Sequence, residues 1–195
     1  MTRTIIFIRH AEKSKHDVVH LDAQGKARAI FLADYILHPY NDFEVPTAIY
    51  TMTAPHSKRC IETMAPTLAK INAVHHINVP RAQSEQLAKT LLMSCEKESS
   101  LVCWEHSRIV DIMNNMGIPV TAWGLVPDSH KDEGKCFDAT WVLTVTPTMF
   151  KLTVYRQFAI KNGIAIWNHP RTNVWWQQSF PRTQEQTRGN ICVVS

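Results

Sequence analysis

The sequence predicts an α/β protein in three layers, with a mostly parallel central sheet flanked by helices and a C-terminal β-hairpin at the sheet edge. Two observations lead to this fold class. Short apolar runs rich in β-branched residues alternate with segments of helical period through the first two thirds of the chain, which is typical of parallel strands joined by helices. Two β-rich segments then follow each other closely, which is typical of a hairpin.

The first predicted strand is Thr4 to Ile8, an apolar run suited to burial on both faces of a parallel sheet. It is followed directly by Arg9 and His10. Ligands of open α/β sheets bind beyond the carboxyl ends of the strands, so both side chains should face the bound molecule. Arginine can hold phosphate oxygens in pairs and a neutral imidazole can attack phosphorus, so the pair suits a phosphoryl group. If the Arg9-His10 pair is taken alone, an incidental polar turn after the strand is the simpler interpretation.

The next predicted elements are a helix, a strand and a second helix. Asp22 can cap the first helix, and Pro39 ends it. A short strand follows over residues 46–51. Ser57 can cap the second helix, which Pro66 should kink or divide because proline has no backbone N–H to donate.

The remaining elements continue the alternation. A weak strand over residues 76–79 precedes a helix over 84–93, and a buried strand over 101–104 precedes a helix that Ser107 can cap. The hairpin is predicted over 139–157, with a proline-containing turn in its middle.

The domain organisation follows from the length. A chain of 195 residues with 45% hydrophobic content can bury one sizeable core, and we assign it to residues 1–160. Residues 161–195 form a C-terminal extension without clear period. Its aromatic residues should pack on the domain or on a partner, which makes the extension a candidate surface for homo-oligomerisation.

Composition narrows the class of partner and the compartment. The net charge is +4, but the basic residues are scattered, so a small anionic substrate is expected and nucleic acid is not. Five cysteines with no close pair favour reduced thiols. No segment approaches the roughly 20 apolar residues of a membrane span, so no membrane partner is expected and the predicted location is the cytoplasm. No set of residues has the spacing of metal ligands, and neither a metal nor another cofactor is predicted.

Polar residues recur where predicted strands end. Parallel strands bring their carboxyl ends to one edge, and the helices that begin there add amides and a dipole that favour an anion. Four side chains could therefore surround one point: Arg9, His10, Arg59 and His106.

Four segments together resemble the histidine phosphatase superfamily, which includes the phosphoglycerate mutases. Residues 8–12 resemble its Arg-His-Gly signature, 21–29 its Leu-Thr-x-x-Gly-x-x-x-Ala segment and 57–63 its Ser-x-Arg-x-x-x-Thr helix start. Residues 102–107 stand where the family has its second histidine. Order and spacing agree over residues 4 to 117, although Ala11 and Ser107 replace glycines of the pattern.

The resemblance implies a metal-independent phosphatase. His10 would be the nucleophile that becomes phosphorylated, while Arg9, Arg59 and His106 would bind the phosphoryl oxygens of a small phosphorylated substrate. The short stretch between Arg59 and His106 leaves little room for the large insertion typical of the mutases. Two other readings are a phosphoglycerate mutase-type phosphotransferase and a non-catalytic module that binds phosphorylated ligands or serves in interactions, but such a binder would not need the nucleophile.

The residue that protonates the leaving group is the open assignment. Glu85 is our candidate, because it stands about where the family has an acidic residue and opens a helix above the predicted mouth. It could equally be a first-turn glutamate that complements the helix dipole. Glu105 is the rival and a candidate substrate-binding residue. As the neighbour of His106 on a strand it would face away from the site, unless the strand has already ended.

Overall fold

The computed structural model describes residues 2–14, 16–39, 43–71, 74–94, 99–120, 137–161, 164–167 and 174–183. Within these ranges the strands are β1 Arg3–Arg9, β2 Ala48–Thr53, β3 His75–Pro80, β4 Ser100–Trp104, β5 Ala139–Val145, β6 Met149–Arg156, β7 Phe158–Lys161, β8 Ile164–Trp167 and β9 Val174–Pro181. The helices are α1 Ala23–Ile36, α2 Arg59–Lys70, α3 Ser84–Met93 and α4 His106–Asn115, and a short 3-10 turn, Arg81–Gln83, leads into α3.

The α/β class is confirmed, but the sheet is mixed rather than mostly parallel. Its seven strands have the order β3-β2-β4-β1-β5-β6-β9. The first four are mutually parallel, whereas β1 with β5, β5 with β6, and β6 with β9 are antiparallel. The reason is that the hairpin pairs directly with β1 and gains a further strand, so antiparallel pairings make up half of the sheet.

The predicted hairpin is therefore not at the sheet edge. It is formed by β5 and β6, and β9 pairs with β6 through registers such as Phe150 with Phe180. Residues 174–181 thus extend the sheet of the predicted catalytic domain, while β7 and β8 pair with each other in a separate two-stranded sheet. Much of the predicted extension over 161–195 lies outside the described residues, and its separation from the domain stays a prediction.

The helices lie in two pairs, α1 with α2 and α3 with α4. From β1 to β2 and on to β3 the chain moves across the sheet in one direction, and from β3 to β4 it returns. Because crossovers between parallel strands are right-handed, the first two helices cover one face of the sheet and α3 the other. The result is the predicted layering, with the sheet between helices.

Helix starts were predicted with mixed success. The Asp22 carboxylate accepts a hydrogen bond of 2.8 Å from the Gly25 N–H, which confirms that cap. Neither Ser57 nor Ser107 is a cap, because α2 begins after Lys58 and α4 begins at His106 without a capping side chain. In spite of Pro66, α2 continues as one helix to Lys70.

The centre of the core is formed by β1 and β4, whose apolar side chains are buried on both faces. The two strands run parallel in a register that places Arg9 beside Trp104. The residues that follow, His10 and Glu105, therefore leave the sheet side by side at its carboxyl edge. None of the helices in the described ranges is long and apolar enough to cross a bilayer.

Candidate active site

His10 is buried at the carboxyl end of β1, with 2% of its surface exposed. Its backbone N–H donates a hydrogen bond of 3.1 Å to the Trp104 carbonyl, which continues the pairing of β1 with β4 by one residue. The imidazole Nδ1 lies 2.7 Å from the Ala11 carbonyl oxygen. Since a carbonyl can only accept, Nδ1 carries the proton and Nε2 keeps its lone pair. This tautomer leaves Nε2 as a nucleophile.

Arg59 lies directly against that nucleophile. Its Nη1 is 3.2 Å from His10 Nε2, and its Nε donates a hydrogen bond of 2.9 Å to Ser57 Oγ. Ser57 is buried, so its hydroxyl orients the guanidinium instead of capping the helix. Arg59 is the first residue of α2 and follows the turn after β2, which explains how a residue 49 positions from His10 reaches it.

Arg9 contacts an aromatic ring that also lies beside His10. Its guanidinium carbon lies 3.9 Å from the centroid of the Phe137 ring, a cation–π contact, and that ring is 5.9 Å from the imidazole of His10. Phe137 lies two residues before the start of β5 and was not among the predicted site residues. No local motif marks it, because it comes to the site only through the antiparallel pairing of β5 with β1.

The surroundings of His10 keep its imidazole neutral. Burial lowers its pKa to about 3, with help from the positive charges of Arg59 and Arg9 and from His106, although the hydrogen bond to Ala11 acts in the opposite direction. Each of these charges would be repelled by an imidazolium. At neutral pH the ring is therefore uncharged, which is the form that can attack an electrophile.

His106 begins α4, next to the end of β4. The pKa of His106 is lowered, mainly by partial removal from water and to a lesser extent by the charges of Arg9 and Lys13. The Glu105 carboxylate acts in the opposite direction and raises this pKa. The influence of Arg9 on both histidines indicates that these side chains share one electrostatic environment. The predicted group of Arg9, His10, Arg59 and His106 is thus brought together at one end of the sheet.

Glu105 points to this group as well. Its Oε1 lies 3.7 Å from Arg59 Nη2, and its Oε2 accepts a hydrogen bond of 2.8 Å from Arg81 Nε. This orientation is possible because β4 ends at Trp104, so Glu105 is not bound by the alternation of side chains between the two faces of a strand. Arg81 was missed in the sequence, although it stands directly after β3 and could have been found by the strand-end argument that selected Arg9.

A cavity of about 700 Å³ opens beside these residues, at the carboxyl ends of β2, β3 and β4. Arg59 and Glu105 form part of its wall. The guanidinium of Arg59 thus faces His10 Nε2 with Nη1 and the carboxylate in the cavity wall with Nη2. His10 is not among the residues that line the cavity, so Arg59 is the side chain that contacts both His10 and the cavity.

The segment after His10 is fixed by two sets of buried contacts. The Ala11 N–H donates to Thr63 Oγ1, and the Glu12 carboxylate accepts hydrogen bonds from Arg28 at 2.6 to 2.9 Å. A Cβ atom added at Gly25 would lie 2.1 Å from the backbone oxygen of Glu12, so only glycine allows α1 to approach this closely. These contacts hold the segment after His10 against both α1 and α2.

No family model and no curated protein sequence matches this chain. Solved structures do. A phosphoglycerate mutase from Plasmodium falciparum shares 16% identity at a TM-score of 0.48, covering 86% of this chain and 94% of its own. A protein assigned as an alpha-ribazole-5'-P phosphatase, from Escherichia coli, shares 13% at 0.49, covering 85% and 95%. One assigned as the phosphohistidine phosphatase SixA, from Nakamurella, shares 13% at 0.46, covering 74% and 85%. At these values the likeness concerns general architecture alone.

Glu85, the predicted proton donor, lies apart from this group. Its side chain is 68% exposed on α3 and bonds to Lys89 Nζ at 2.8 Å, one helical turn later. The hydrogen bond and the positive charge of Lys89 lower the pKa of this carboxyl. Glu85 is also absent from the wall of the cavity, although its neighbour Ser84 lines it.

In the part of the chain that the structure describes, no three or more histidine, cysteine, aspartate or glutamate side chains lie close enough together to hold a metal ion.

Proposed function

We propose that this protein is a metal-independent phosphatase that hydrolyses a phosphate monoester through a phosphohistidine formed on Nε2 of His10. One observation carries the proposal: a buried imidazole whose Nδ1 proton is held by the Ala11 carbonyl presents the lone pair of Nε2 to Arg59. A histidine that only stabilised the fold would not need a neutral ring surrounded by cations.

In the first step the Nε2 lone pair attacks phosphorus as the bond to the leaving oxygen breaks. The hydrogen bond from Nδ1 to Ala11 then stabilises the positive charge that develops on the ring. Arg59 donates to Nε2 when no substrate is bound, but phosphoryl oxygens are stronger acceptors, so its guanidinium would transfer to them and free the lone pair.

In the second step a water oxygen attacks phosphorus and the bond to Nε2 breaks, which releases inorganic phosphate and restores the neutral imidazole. The water loses one proton in this step, and the group that protonated the leaving oxygen in the first step takes it, so that the cycle closes. Arg9 and Arg59 have the same task in both steps. They stabilise the charge that spreads over the three equatorial oxygens, and a fixed cation does so without reorganising during the reaction.

The leaving oxygen needs a proton in the first step, and Glu105 is better placed than Glu85 to supply it. The leaving group departs on the side of phosphorus opposite to His10, and the cavity beyond Arg59 has the Glu105 carboxyl in its wall. When protonated, that carboxyl would give its proton to the oxygen and become the carboxylate that Arg59 and Arg81 stabilise.

Trapping of the intermediate tests the proposal. Wild-type protein with para-nitrophenyl phosphate and a chelator present should turn over, and acid-labile, base-stable phosphate should be recovered from it after rapid quenching. His10→Ala should abolish both signals in protein that is still folded, while His16→Ala, at an exposed histidine, should leave them intact. Turnover by folded His10→Ala at the wild-type rate would contradict the covalent mechanism.

A further inference from the structure

We infer that Phe137 is a positioning residue of the phosphoryl site, whose ring holds the Arg9 guanidinium in place without cancelling its charge. This inference rests on the proposed function, because it concerns one of the cations that would stabilise the phosphoryl oxygens. Phe137 acts through Arg9 rather than on the substrate. The contact between the ring and the guanidinium carries the inference.

The Arg9 side chain meets this ring in a place that is largely closed to water. Its guanidinium carbon lies 3.9 Å from the centroid of the Phe137 ring, and Arg9 is only 7% exposed. A cation over an aromatic face is attracted by the ring quadrupole, and the attraction is stronger when the pair is desolvated. The ring therefore constrains where the guanidinium lies.

An aromatic partner leaves the arginine charged. A carboxylate in the same place would neutralise the guanidinium, as Glu105 partly does for Arg59 at 3.7 Å. A phenyl ring carries no charge and no acceptor of hydrogen bonds, so it fixes the cation and leaves its charge for an anion. That charge acts inside the site: burial lowers the pKa of both His10 and His106 most, and the charge of Arg9 lowers both further.

The ring also lies next to the nucleophile. Its centroid is 5.9 Å from that of the His10 imidazole, and the two planes are tilted by 53°. Arg9, the last residue of β1, directly precedes His10. An arginine side chain has much rotamer freedom to lose when it binds a ligand. A ring that fixes Arg9 beside the imidazole in advance reduces this cost.

The segment that carries the ring is itself fixed by the end of the hairpin. The Asp138 carbonyl accepts a hydrogen bond of 2.7 Å from the Gln157 N–H, and the Asp138 carboxylate accepts one of 3.0 Å from Arg156 Nε. The Gln157 side chain is fully buried and donates at 3.1 Å to the Ala139 carbonyl. These bonds anchor the two residues after Phe137, so the ring is held by a rigid part of the sheet.

Inorganic phosphate is the probe for this role, because its binding does not depend on turnover. Phe137→Leu keeps an apolar side chain but removes the π face, and it should weaken phosphate binding about tenfold, as measured by calorimetry. Phe137→Tyr keeps the ring and should retain most of the affinity. Arg9→Gln should bind phosphate weakly, and Phe137→Leu added to it should change the affinity no further, since the ring acts through Arg9.

Fluorinated phenylalanines separate the π face from the shape of the ring. Each fluorine withdraws negative charge from the face and weakens its attraction for a cation, while the ring keeps nearly the same size. Phosphate affinity should therefore fall stepwise with mono-, di- and trifluorinated phenylalanine at position 137. The same analogues at Phe150 are the control. Its ring contacts the Arg182 guanidinium at 5.3 Å, at the opposite end of the sheet, and phosphate affinity should not change there.

Equal phosphate affinity along the fluorinated series at position 137 would overturn the inference. So would a loss in Phe137→Leu that persists at full size in the Arg9→Gln protein, since the ring would then act by packing alone. Absence of phosphate binding to the wild type would overturn it as well.

Wild-type turnover of para-nitrophenyl phosphate separates this inference from the proposed function. If the wild type hydrolyses the ester while the fluorinated series is flat, the phosphatase stands and the role of Phe137 is wrong. If it does not hydrolyse the ester but phosphate affinity falls along the series, the proposed function is wrong, while Phe137 still positions Arg9 in an anion site.

Discussion

The side-chain hydroxyl of Thr63 accepts a hydrogen bond of 2.9 Å from the backbone N–H of Ala11. The same hydroxyl donates to the Arg59 carbonyl at 2.7 Å, one turn earlier in α2. Thr63 is fully buried, so water cannot replace either bond. A single hydroxyl therefore joins the segment of the nucleophile to the helix that carries the arginine beside it.

Thr63→Val should lower both stability and turnover. Valine has the shape of threonine but leaves the buried Ala11 N–H without its acceptor, which costs about 1 to 3 kcal/mol of unfolding free energy. The substitution should also make the distance between His10 and Arg59 more variable, so kcat should fall more than KM rises. Denaturant unfolding and steady-state kinetics on para-nitrophenyl phosphate measure the two effects. Thr63→Ser keeps the hydroxyl and should retain most of the rate; equal rates for the serine and valine variants would contradict the positioning role.

At position 59 the shape of the cation should matter as much as its charge. Arg59→Ala should reduce kcat by about 10²-fold or more, as does removal of one donor that stabilises transition-state charge. Arg59→Lys should recover only part of that loss, because an ammonium group cannot contact His10 and Glu105 at once as the guanidinium does. Single-turnover rates compare the three proteins. A lysine variant as active as wild type would show that bidentate geometry is not needed.

The proton donor can be identified by the leaving group. Glu105→Gln should slow an alkyl phosphate far more than para-nitrophenyl phosphate, because an alkoxide leaves poorly without a proton whereas the nitrophenolate needs none. Glu85→Gln is the matched control and should slow both esters alike or neither. Selective loss in Glu85→Gln, with Glu105→Gln unaffected, would assign the acid to α3 as the sequence predicted; no selectivity in either variant would leave the proton to solvent.

His10 should not titrate in the usual range of a histidine. With a pKa of about 3, its ring stays neutral down to pH 5, so its imidazole NMR signals should not shift between pH 8 and 5. The signals that vanish in His10→Ala identify the residue. A titration midpoint near 6.5 would contradict the electrostatic role of Arg9 and Arg59.

The same shift has a consequence for stability. Between pH 6.5 and about 3 the unfolded chain takes up a proton on His10 that the folded protein does not, so the free energy of unfolding falls as the pH is lowered through this window. Above pH 6.5 neither state holds the proton, and the contribution is constant. His10→Ala should therefore lose less stability than wild type on going from pH 7 to pH 4, as measured by urea unfolding.

Much of this arrangement follows from local patterns. Apolar runs that end on charge located the strands and brought Arg9, His10, Arg59 and His106 to one edge, because parallel strands share the direction of their carboxyl ends. The strand order could not be predicted from the sequence, since β5 lies far from its partner β1 along the chain. The contact of Phe137 with Arg9 depends on that pairing and could not be predicted either.

Other features depend on the ends of elements, where one residue changes the outcome. Glu105 turns to the site only because β4 stops at Trp104. Ser57 is a residue type that often caps helices, but it bonds to the Arg59 side chain, since the N-cap position of α2 is Lys58, one residue later than predicted. The exposed pair of Glu85 with Lys89 could have been recognised from their spacing of four residues.

The central position of β1 in the sheet also affects how the protein folds during synthesis. Ile5 pairs with Ser100 on one side and with Leu143 on the other, so this strand has no partner until the chain has been synthesised past residue 100. Until then its apolar side chains stay exposed, and contacts this distant in sequence form slowly. His10 can therefore reach its position at the end of β1 only after Trp104, whose carbonyl accepts from its N–H, has been made.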